Sequence, residues 1–472
     1  MKACYFLALF LAFGTLSAPA QTAAPHNVSL YLTTSDRSAL LQLQVPIPFA
    51  TSPSTATQTI DVNAARTYQT IDGFGFALTS GSAQLLMHMD PDRRHALLHE
   101  LFTRSGDGSG DGIGVSYLRL TVGASDMNAS VYSYDDLAPG QTDVPMAHFS
   151  LAPDHDTVIP VMHQILAIDP TIKTLASPWS APLWMKTTGV AQGGVLLPRY
   201  FPAYATYLTK YVQAMKAEGI PIDTLTIQNE PLNEKNTPSM LMLAEEQDIF
   251  IKHDLGPDFQ KAHIHTGIVL YDHNLDHPLY PLSILRDPAA ARYVAGSGFH
   301  LYGGTVDAMT EVHNAFPNKN IYFTEQSTTQ RDNDAPLHIT QAVARVMIGV
   351  SRNWSKNILL WNLAADPDNG PHTNNGGCTD CSGALTIDGN HVRRNLAYYT
   401  LAVVSKFVPP NSVRIGSNDL DTLPNVAFRT PSGQRVLVVS NVTDTAQSFD
   451  VRTGASHFST SLNAGAVGTY VW

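Results

Sequence analysis

The chain has 472 residues, of which 44% are hydrophobic and 15% are charged, and its formal net charge is −11. This is the composition of a folded globular protein with enough length for one large domain and one small one. The acidic balance makes nucleic acids and anionic membrane surfaces poor partners, so we expect a neutral or small partner.

Residues 1–20 have the pattern of a secretory signal peptide. Lys2 supplies a positive charge, residues 5–16 form an apolar run, and residues 18–20 have the small-x-small form that signal peptidase accepts. The apolar run is too short to cross a bilayer as a helix, and no later stretch of the sequence is long and apolar enough to do so. The sequence therefore predicts a secreted or periplasmic protein without a stable membrane anchor.

Strand-like segments begin after this leader. Within residues 21–65, the stretch 27–44 alternates as a strand and a turn. Residues 66–408 contain eight β-branched or apolar runs separated by amphipathic stretches: 68–78, 115–123, 172–180, 223–231, 263–272, 296–304, 320–327 and 356–366. Apolar residues at helical spacing predict helices over 201–219 and 338–353. This alternation of strands and helices predicts an α/β fold, the (β/α)8 TIM barrel.

The loop after the eighth predicted strand carries Cys378 and Cys381, spaced as C-x-x-C. In an exported chain, this spacing within a glycine-containing loop favours a disulfide over two free thiols. Two cysteines without an H-x₃-H partner do not make a zinc site. We therefore expect no metal ion and no cofactor.

Residues 409–472 return to β structure. Period-two runs flank the turn at residues 431–433, a pattern typical of hairpins. Both ends of the chain are thus β, whereas the middle is α/β. We expect residues 21–65 and 409–472 to pack together as one small antiparallel β-sandwich beside the barrel.

Two glutamates stand at the ends of predicted barrel strands, where the active sites of TIM barrels lie. Glu230 is near the end of the fourth strand and Glu325 is near the end of the seventh, nearly opposite across an eight-stranded ring. Glycoside hydrolysis needs such a pair, because one acid protonates the leaving oxygen while the other carboxylate attacks the anomeric carbon or activates water. A separation of about 5 Å would indicate the retaining, double-displacement route.

Several neighbouring strand ends carry side chains that suit a sugar. Trp179 and Trp361 offer flat apolar faces to a pyranose ring. Asn229 can hydrogen-bond a hydroxyl close to the reacting carbon. A core position is an equally good interpretation of each tryptophan taken alone.

Three further polar side chains could act on the carboxylates. Tyr302 can donate a hydrogen bond to Glu325 and favour its ionised form, and Arg119 could add to this effect. His300 also lies near a strand end. A core histidine with satisfied hydrogen bonds is the alternative interpretation of His300.

Seven motifs occur in chain order: DGFGFALTSGSA, SYLRLTVGASDMN, LASPWSAPLWMKTTG, TIQNEP, FHLYGG, YFTEQS and WNLAADPDNGP. Together they resemble glycoside hydrolase family 30, and most closely its glucosylceramidase branch. The loop with the two cysteines looks like that of bacterial members. The resemblance runs from about residue 27 to the C-terminus. It implies a TIM barrel with a side β-sandwich built from both chain ends, and retaining hydrolysis of β-glycosides.

The resemblance also implies roles for individual residues. Glu230 matches the acid/base of the family and Glu325 matches its nucleophile. Asp126, in the motif ASDMN, matches the aspartate that binds the outer hydroxyls of glucose. The remaining contacts that the family implies come from Asn229, Trp179, Trp361 and Tyr302.

Two departures from the branch leave the leaving group open. Leu301 stands where the glucosylceramidases carry tryptophan, and Thr324 and Gln326 flank Glu325 in place of serine and alanine. Our leading prediction is a secreted, retaining β-glucosidase of glucosylceramidase type, acting on a small-molecule, oligosaccharide or glycolipid β-glycoside. The alternative is an endo-β-1,6-glucanase or xylan-type hydrolase of the same family. A catalytically silent glycan-binding protein is least favoured, because both glutamates are present.

Overall fold

The computed structural model describes residues 1, 27–50, 58–104, 110–333, 336–374 and 378–472. Residues 2–20 of the predicted signal peptide lie outside these ranges. Within the ranges, no helix combines the length and the apolar character needed to cross a membrane.

Eight parallel strands close into a barrel, in the order in which they occur along the chain. They are β1 (Gly73–Leu78), β2 (Tyr117–Val122), β3 (Lys173–Pro178), β4 (Thr224–Thr226), β5 (Gly267–Asn274), β6 (Val294–His300), β7 (Asn320–Glu325) and β8 (Ser355–Asn362). Strand β8 pairs with β1 to complete the ring. Most residues of these strands are buried, since helices cover the outer face and side chains fill the interior. The predicted (β/α)8 barrel is confirmed.

Helices alternate with the barrel strands along the chain and pack against them. The α-helices are Ser80–His88, Pro91–Phe102, Val158–Ile168, Phe201–Ala217, Ala244–Phe250, Gly256–Lys261, Leu279–Leu285, Pro288–Ala291, Asp307–Ala315, Ile339–Ala342, Gly349–Arg352 and Leu396–Ser405. Two π-helical segments interrupt longer helices, Ile251–Leu255 and Val343–Ile348. Short 3₁₀ turns occupy Ala152–Asp154, Leu183–Met185, Pro198–Tyr200 and Gln330–Asn333.

The helix Phe201–Ala217 shows how the sequence builds this outer layer. Its buried face repeats at helical spacing through Tyr204, Leu208 and Tyr211. The chain then turns at Gly219, whose φ of +79° suits a residue without a Cβ. The hydroxyl of Tyr204 donates to the carbonyl of Ile227 at 3.0 Å. The helix is thereby tied to the segment that leads from β4 into the barrel mouth.

The two ends of the chain form one ten-stranded sheet system beside the barrel. Its strands are Asn27–Thr34, Gln42–Leu43, Ile47–Pro48, Thr59–Thr70, Val413–Ser417, Asn425–Arg429, Arg435–Ser440, Gln447–Thr453, Ser456–Leu462 and Ala466–Val471. The first long strand pairs with the last one, which confirms a sandwich built from both termini. One pairing differs from the antiparallel prediction, because Gln447–Thr453 runs parallel to Thr59–Thr70.

Two small sheets lie between barrel elements. Thr328–Thr329 follows β7 and pairs with Cys381–Ser382. Ala364–Ala365, Leu385–Asp388 and His391–Arg394 form a three-stranded sheet after β8. The first pairing holds the cysteine-containing loop next to the segment that follows Glu325.

Asn441 is a fully buried polar side chain within the sandwich. Its amide nitrogen donates to the backbone carbonyls of Thr445, Leu462 and Asn463 at 2.8, 3.0 and 3.0 Å. Its oxygen accepts the amide N–H and the hydroxyl of Thr443 at 3.0 and 2.8 Å. Such a residue stabilises the fold because one buried and several half-buried groups lose their partner together when it is removed.

The substitution Asn441→Ala should lower the free energy of unfolding by about 2–4 kcal/mol, since it leaves one buried and several half-buried polar groups without their partner. Urea denaturation followed by far-UV circular dichroism would measure the change. The matched control is Asn463→Ala, an exposed asparagine whose backbone carbonyl Asn441 contacts and whose side chain is not part of that contact. Its effect should stay within about 0.5 kcal/mol, and equal losses in the two variants would contradict this account.

Candidate active site

The structure brings the two predicted glutamates together at the mouth of the barrel. Glu325 is the last residue of β7, and Glu230 follows β4 with its N–H donating to the carbonyl of Asp272 at 3.0 Å. One carboxylate oxygen of Glu230 lies within 4.8 Å of one of Glu325. The backbone of Glu230 has a φ of +45°, a left-handed conformation that is uncommon for a residue with a side chain. The neighbouring contacts hold it there, as is typical of functional sites.

Glu325 accepts hydrogen bonds from one hydroxyl and one cation, and a second cation, His300, lies with Nδ1 at 3.8 Å from its Oε1. Tyr302 donates its hydroxyl to Oε1 at 2.9 Å, and Arg119 donates a guanidinium N–H to Oε2. Burial raises the pKa of Glu325 above its ordinary value, while the charges of His300 and Arg119 oppose this effect. These two cations and the tyrosine hydroxyl therefore favour the ionised carboxylate.

Glu230 is held by a different set of groups. His300 lies with Nδ1 at 3.1 Å from Oε1, and Asn233 donates its amide to Oε2 at 2.7 Å. Burial raises the pKa of Glu230, but the hydrogen bond and charge of His300, together with His273 and Asn233, lower it to about 2. In the ligand-free site, the proton between these two residues therefore belongs to His300.

Asp272, at the inner end of this cluster, is a site residue that the sequence analysis did not identify. Its carboxylate accepts from Arg119 at 2.8 Å and from Ser177 at 2.7 Å, and it lies 3.0 Å from Nε2 of His300. Burial opposes its ionisation, but the charges of Arg119 and His300 hold its pKa well below the ordinary range. Asp272 ends the fifth predicted strand run, so the rule that found Glu230 could have found it as well.

His300 thus connects the acid pair to Asp272. Burial alone would lower its pKa, but the charge of Glu325 and the hydrogen bonds to Asp272 and Glu230 raise it from 6.5 to about 9. It is fully buried, and each of its two ring nitrogens has a hydrogen-bond partner, as in a core histidine. Both hydrogen bonds, however, go to carboxylates of the cluster, and His300 therefore supplies a buried positive charge there.

Arg119 also reaches the asparagine that precedes Glu230. Its guanidinium donates to Oδ1 of Asn229 at 2.7 Å. This bond orients the amide and leaves its nitrogen as a donor. The guanidinium lies 4.8 Å from the ring centroid of Trp179 and 5.7 Å from that of Trp361. A charge of this kind is stabilised by the faces of aromatic rings.

The two tryptophans stack on one another, with ring centroids 5.2 Å apart and planes inclined by 29°. Trp361 lines the cavity at the mouth, whereas Trp179 lies behind it and is 1% exposed. Among the described residues, Nε1 of Trp179 has no hydrogen-bond partner. Trp361 therefore offers the accessible ring face, and Trp179 supports it.

Asp126 lines the same cavity as Glu230. Its Oδ2 accepts the backbone N–H of Cys378 at 3.2 Å, and its Oδ1 is buried without a partner among the described groups. Burial and the charges of Glu325 and Glu230 raise its pKa to about 7. A buried acceptor facing a cavity is suited to the hydroxyl of a ligand. Cys378 and Cys381 are joined by a disulfide that lines the same cavity.

The cavity has a volume of about 650 Å³, within the range of small-molecule sites. Asp126, Glu230, Glu325, Tyr302 and Trp361 all line it. Further polar residues of the lining were not singled out from the sequence. They are Asn233, Lys235, Asn236, His273, Asn274, Asp276, His277, Ser327, Thr329 and Asp380.

The raised pKa of His300 has a consequence for stability. The contribution of its protonated form should be complete below pH 6.5 and should be lost as the pH rises towards 9. When the pH rises from 6 to 9.5, the unfolding free energy measured by urea denaturation should fall less for His300→Gln than for the wild type. The exposed His265 provides the control, because His265→Gln should keep the wild-type pH dependence. Identical slopes for the wild type and His300→Gln would contradict the assignment.

Comparison with known proteins places this site in a family. A family model described as the glycosyl hydrolase family 30 TIM-barrel domain matches residues 71–408, and one described as the glycosyl hydrolase family 30 beta sandwich domain matches residues 411–470. An endo-1,6-beta-D-glucanase of Neurospora crassa is 33% identical over 448 residues, which is 90% of this chain and 91% of the relative. The lysosomal acid glucosylceramidase of Mus musculus is 28% identical, covering 86% of this chain and 81% of that one.

A solved structure shows the same architecture. The endo-beta1,6-glucanase BT3312 superposes with a TM-score of 0.86 at 36% sequence identity, and the match covers 94% of this chain and 99% of that one. The two family models together span the barrel and the C-terminal part of the sandwich. The chain belongs to glycosyl hydrolase family 30.

Proposed function

We propose that this family 30 glycosidase is an endo-acting β-1,6-glucanase. The observation that carries the proposal is the polar wall beside Glu230. Asn233 and Asn236 donate to Oε2 of Glu230 at 2.7 and 3.4 Å, and Lys235 and His277 line the same cavity. The leaving group lies next to the acid that protonates it, so this wall faces the leaving group and offers hydrogen bonds to a second sugar.

The comparisons support the same substrate. The Neurospora crassa relative and the solved structure are both described as endo-β-1,6-glucanases, and both are more similar to this chain than the mouse glucosylceramidase is. A ceramide leaving group would require an apolar surface. Leu232 is the aliphatic residue among the described lining of this cavity.

The proposed reaction is retaining, which the separation of the two glutamates supports. One oxygen of each lies within 4.8 Å of one of the other, which is close to the about 5–5.5 Å of retaining enzymes and well short of the about 6.5–9.5 Å of inverting ones. The Glu325 carboxylate attacks the anomeric carbon, and the bond to the leaving oxygen breaks as Glu230 gives that oxygen its proton. Water then attacks the anomeric carbon, gives a proton to Glu230 and releases Glu325.

Before the first step, Glu230 must be protonated. Protonated His300, 3.1 Å from Oε1, is the adjacent source of this proton. Bound sugar would place its outer hydroxyls at the free oxygen of Asp126 and its 2-hydroxyl at the amide of Asn229. Trp361 would pack against the ring.

A terminal β-glucosidase of glucosylceramidase type is the second candidate. One observation favours it, namely the buried, unpartnered oxygen of Asp126, which suits the outer hydroxyls of a terminal glucose. The polar surroundings of Glu230 favour the glucanase. For either enzyme, we propose a secreted or periplasmic location, on the basis of the leader pattern in residues 1–20 and the disulfide, since disulfides persist in oxidising compartments.

A substrate panel separates the two candidates. The panel contains a linear β-1,6-glucan, an aryl β-glucoside and glucosylceramide in detergent. The proposal expects short β-1,6-linked oligosaccharides from the glucan at early times, detected by anion-exchange chromatography, and the β-anomer as the first product by proton NMR. Release of glucose alone, from glucosylceramide and not from the glucan, would establish the second candidate instead.

Substitution of the two glutamates should affect different steps. Glu325→Gln should lower kcat on every substrate by about 10⁴-fold or more, because no glycosyl ester can form. Glu230→Ala should lower the rate on the glucan by about 10²–10⁴-fold and have less effect on formation of the intermediate from a 2,4-dinitrophenyl glucoside, whose leaving group needs no proton.

The exposed Glu234 supplies the matched control for these variants. Glu234→Gln should keep a rate close to that of the wild type in the same assays. An equal loss on activated and unactivated substrates for Glu230→Ala would contradict its role as the acid. A near-normal rate for Glu325→Gln would contradict the assignment of the nucleophile.

A further inference from the structure

A second cluster of ionisable side chains lies in the loop between β2 and the helix Val158–Ile168. Asp135, Asp143 and His148 each offer one ligand atom, and these atoms lie within 4.8 Å of one another. Nδ1 of His148 is 3.0 Å from Oδ2 of Asp143, and the backbone N–H of His148 donates to the same oxygen at 2.7 Å. The cluster takes no part in the chemistry described above.

Asp135 is the least satisfied member of this cluster. It is 1% exposed, and its Oδ2 accepts the indole N–H of Trp184 at 3.1 Å. Its Oδ1 is buried and has no hydrogen-bond partner within the described ranges. A buried carboxylate oxygen is costly unless a proton or a cation neutralises it, so this oxygen is a candidate ligand for a cation.

The charges around the cluster are not balanced by the protein. Among the described residues, no lysine or arginine forms an ion pair with either aspartate, and His148 is the one basic partner, bound to Asp143. Lys210, on a neighbouring helix, donates its ammonium group to the carbonyl of Met146 instead. Apart from His148, these two neighbouring buried carboxylates therefore have no cationic partner within the described ranges.

We propose that Asp135, Asp143 and His148 bind one divalent transition-metal ion of the Zn²⁺ class. Two carboxylates and one imidazole are ligands that such an ion prefers. The 3.0 Å between Nδ1 of His148 and Oδ2 of Asp143 is close to the edge of about 3.3 Å of a tetrahedron with 2.0–2.1 Å bonds. The imidazole side is open to solvent, with a His148 side chain that is 70% exposed, so water can complete the coordination.

Hard cations fit this set of ligands less well. Ca²⁺ takes six to eight oxygen ligands, and Mg²⁺ requires an octahedral shell that is mostly water. The imidazole nitrogen of His148 favours Zn²⁺ over both.

The position of the site indicates what the ion would do. Asp135 and Asp143 lie in the same loop as Asp126, and Trp184 belongs to the turn Leu183–Met185 that follows β3. An ion bound to Asp135, Asp143 and His148 would cross-link three positions of this loop, and the bond from Trp184 to Asp135 would hold the loop against the next one. We expect the ion to stabilise the fold of this face rather than to take part in hydrolysis.

The experiment uses tag-free, full-length protein that has been treated with EDTA and desalted. Isothermal titration with ZnCl₂ should give one site per chain, and ZnCl₂ should raise the melting temperature, whereas MgCl₂ and CaCl₂ at equal concentration should not. His148→Gln should weaken Zn²⁺ binding by at least about tenfold. Asp135→Asn should do the same, and both variants should keep glucan hydrolysis in the absence of metal.

One control excludes the catalytic centre as the source of binding. Glu230, His300 and Glu325 also place ligand atoms within 4.8 Å of one another. Zn²⁺ binding at Asp135 should therefore persist in Glu325→Gln. The absence of a bound ion in the wild type, or binding that is lost in Glu325→Gln and kept in His148→Gln, would overturn the proposal.

Discussion

A buried guanidinium, that of Arg119, joins the strands that carry the active site. From its place in β2 it reaches Glu325 at the end of β7, Asn229 after β4 and Asp272 in β5. A buried cation is costly unless it is paired with anions, and the two terminal nitrogens of Arg119 make these contacts, while its Nε has no partner among the described residues. These contacts therefore fix the relative positions of strands that are distant in sequence, and they set the charge of the site at the same time. The indole rings of two tryptophans cover the guanidinium on its remaining face.

The balance of charge around this residue explains why the carboxylates differ. Arg119 and His300 are two cations facing Glu230, Asp272 and Glu325, so full ionisation would leave an excess of negative charge. Asp272 and Glu230 have the closer hydrogen bonds to His300, and their pKa values are lowered, whereas that of Glu325 is raised. Protonated His300 thus holds Glu230 ionised in the ligand-free site, so the proposed acid step requires that this proton first return to Glu230.

Much of this arrangement could be predicted from the sequence, because in a TIM barrel every strand end points at the site. That rule identified Glu230 and Glu325, and it would have identified Asp272. Asn233 lay beyond it, since its contact with Glu230 depends on the left-handed backbone of Glu230 and on the course of the following loop. The same limit affected the prediction of the substrate. The family motifs occur on the strands and their ends, whereas the residues facing the leaving group lie mainly in loops, so the glucosylceramidase-like motifs did not settle the branch.

The sequence by itself determined the alternation of strands and helices, the β character of both chain ends, the family motifs and the two catalytic candidates. These follow from local periodicity, turn residues and short sequence motifs, which are properties of neighbouring residues. Only the tertiary structure decided which groups share a proton, which wall of the cavity is polar, which tryptophan is accessible and how far apart the glutamates stand. Hydrogen bonding and pKa depend on distance in space, and closing the ring brings together residues as far apart as Arg119 and Glu325, 206 positions along the chain.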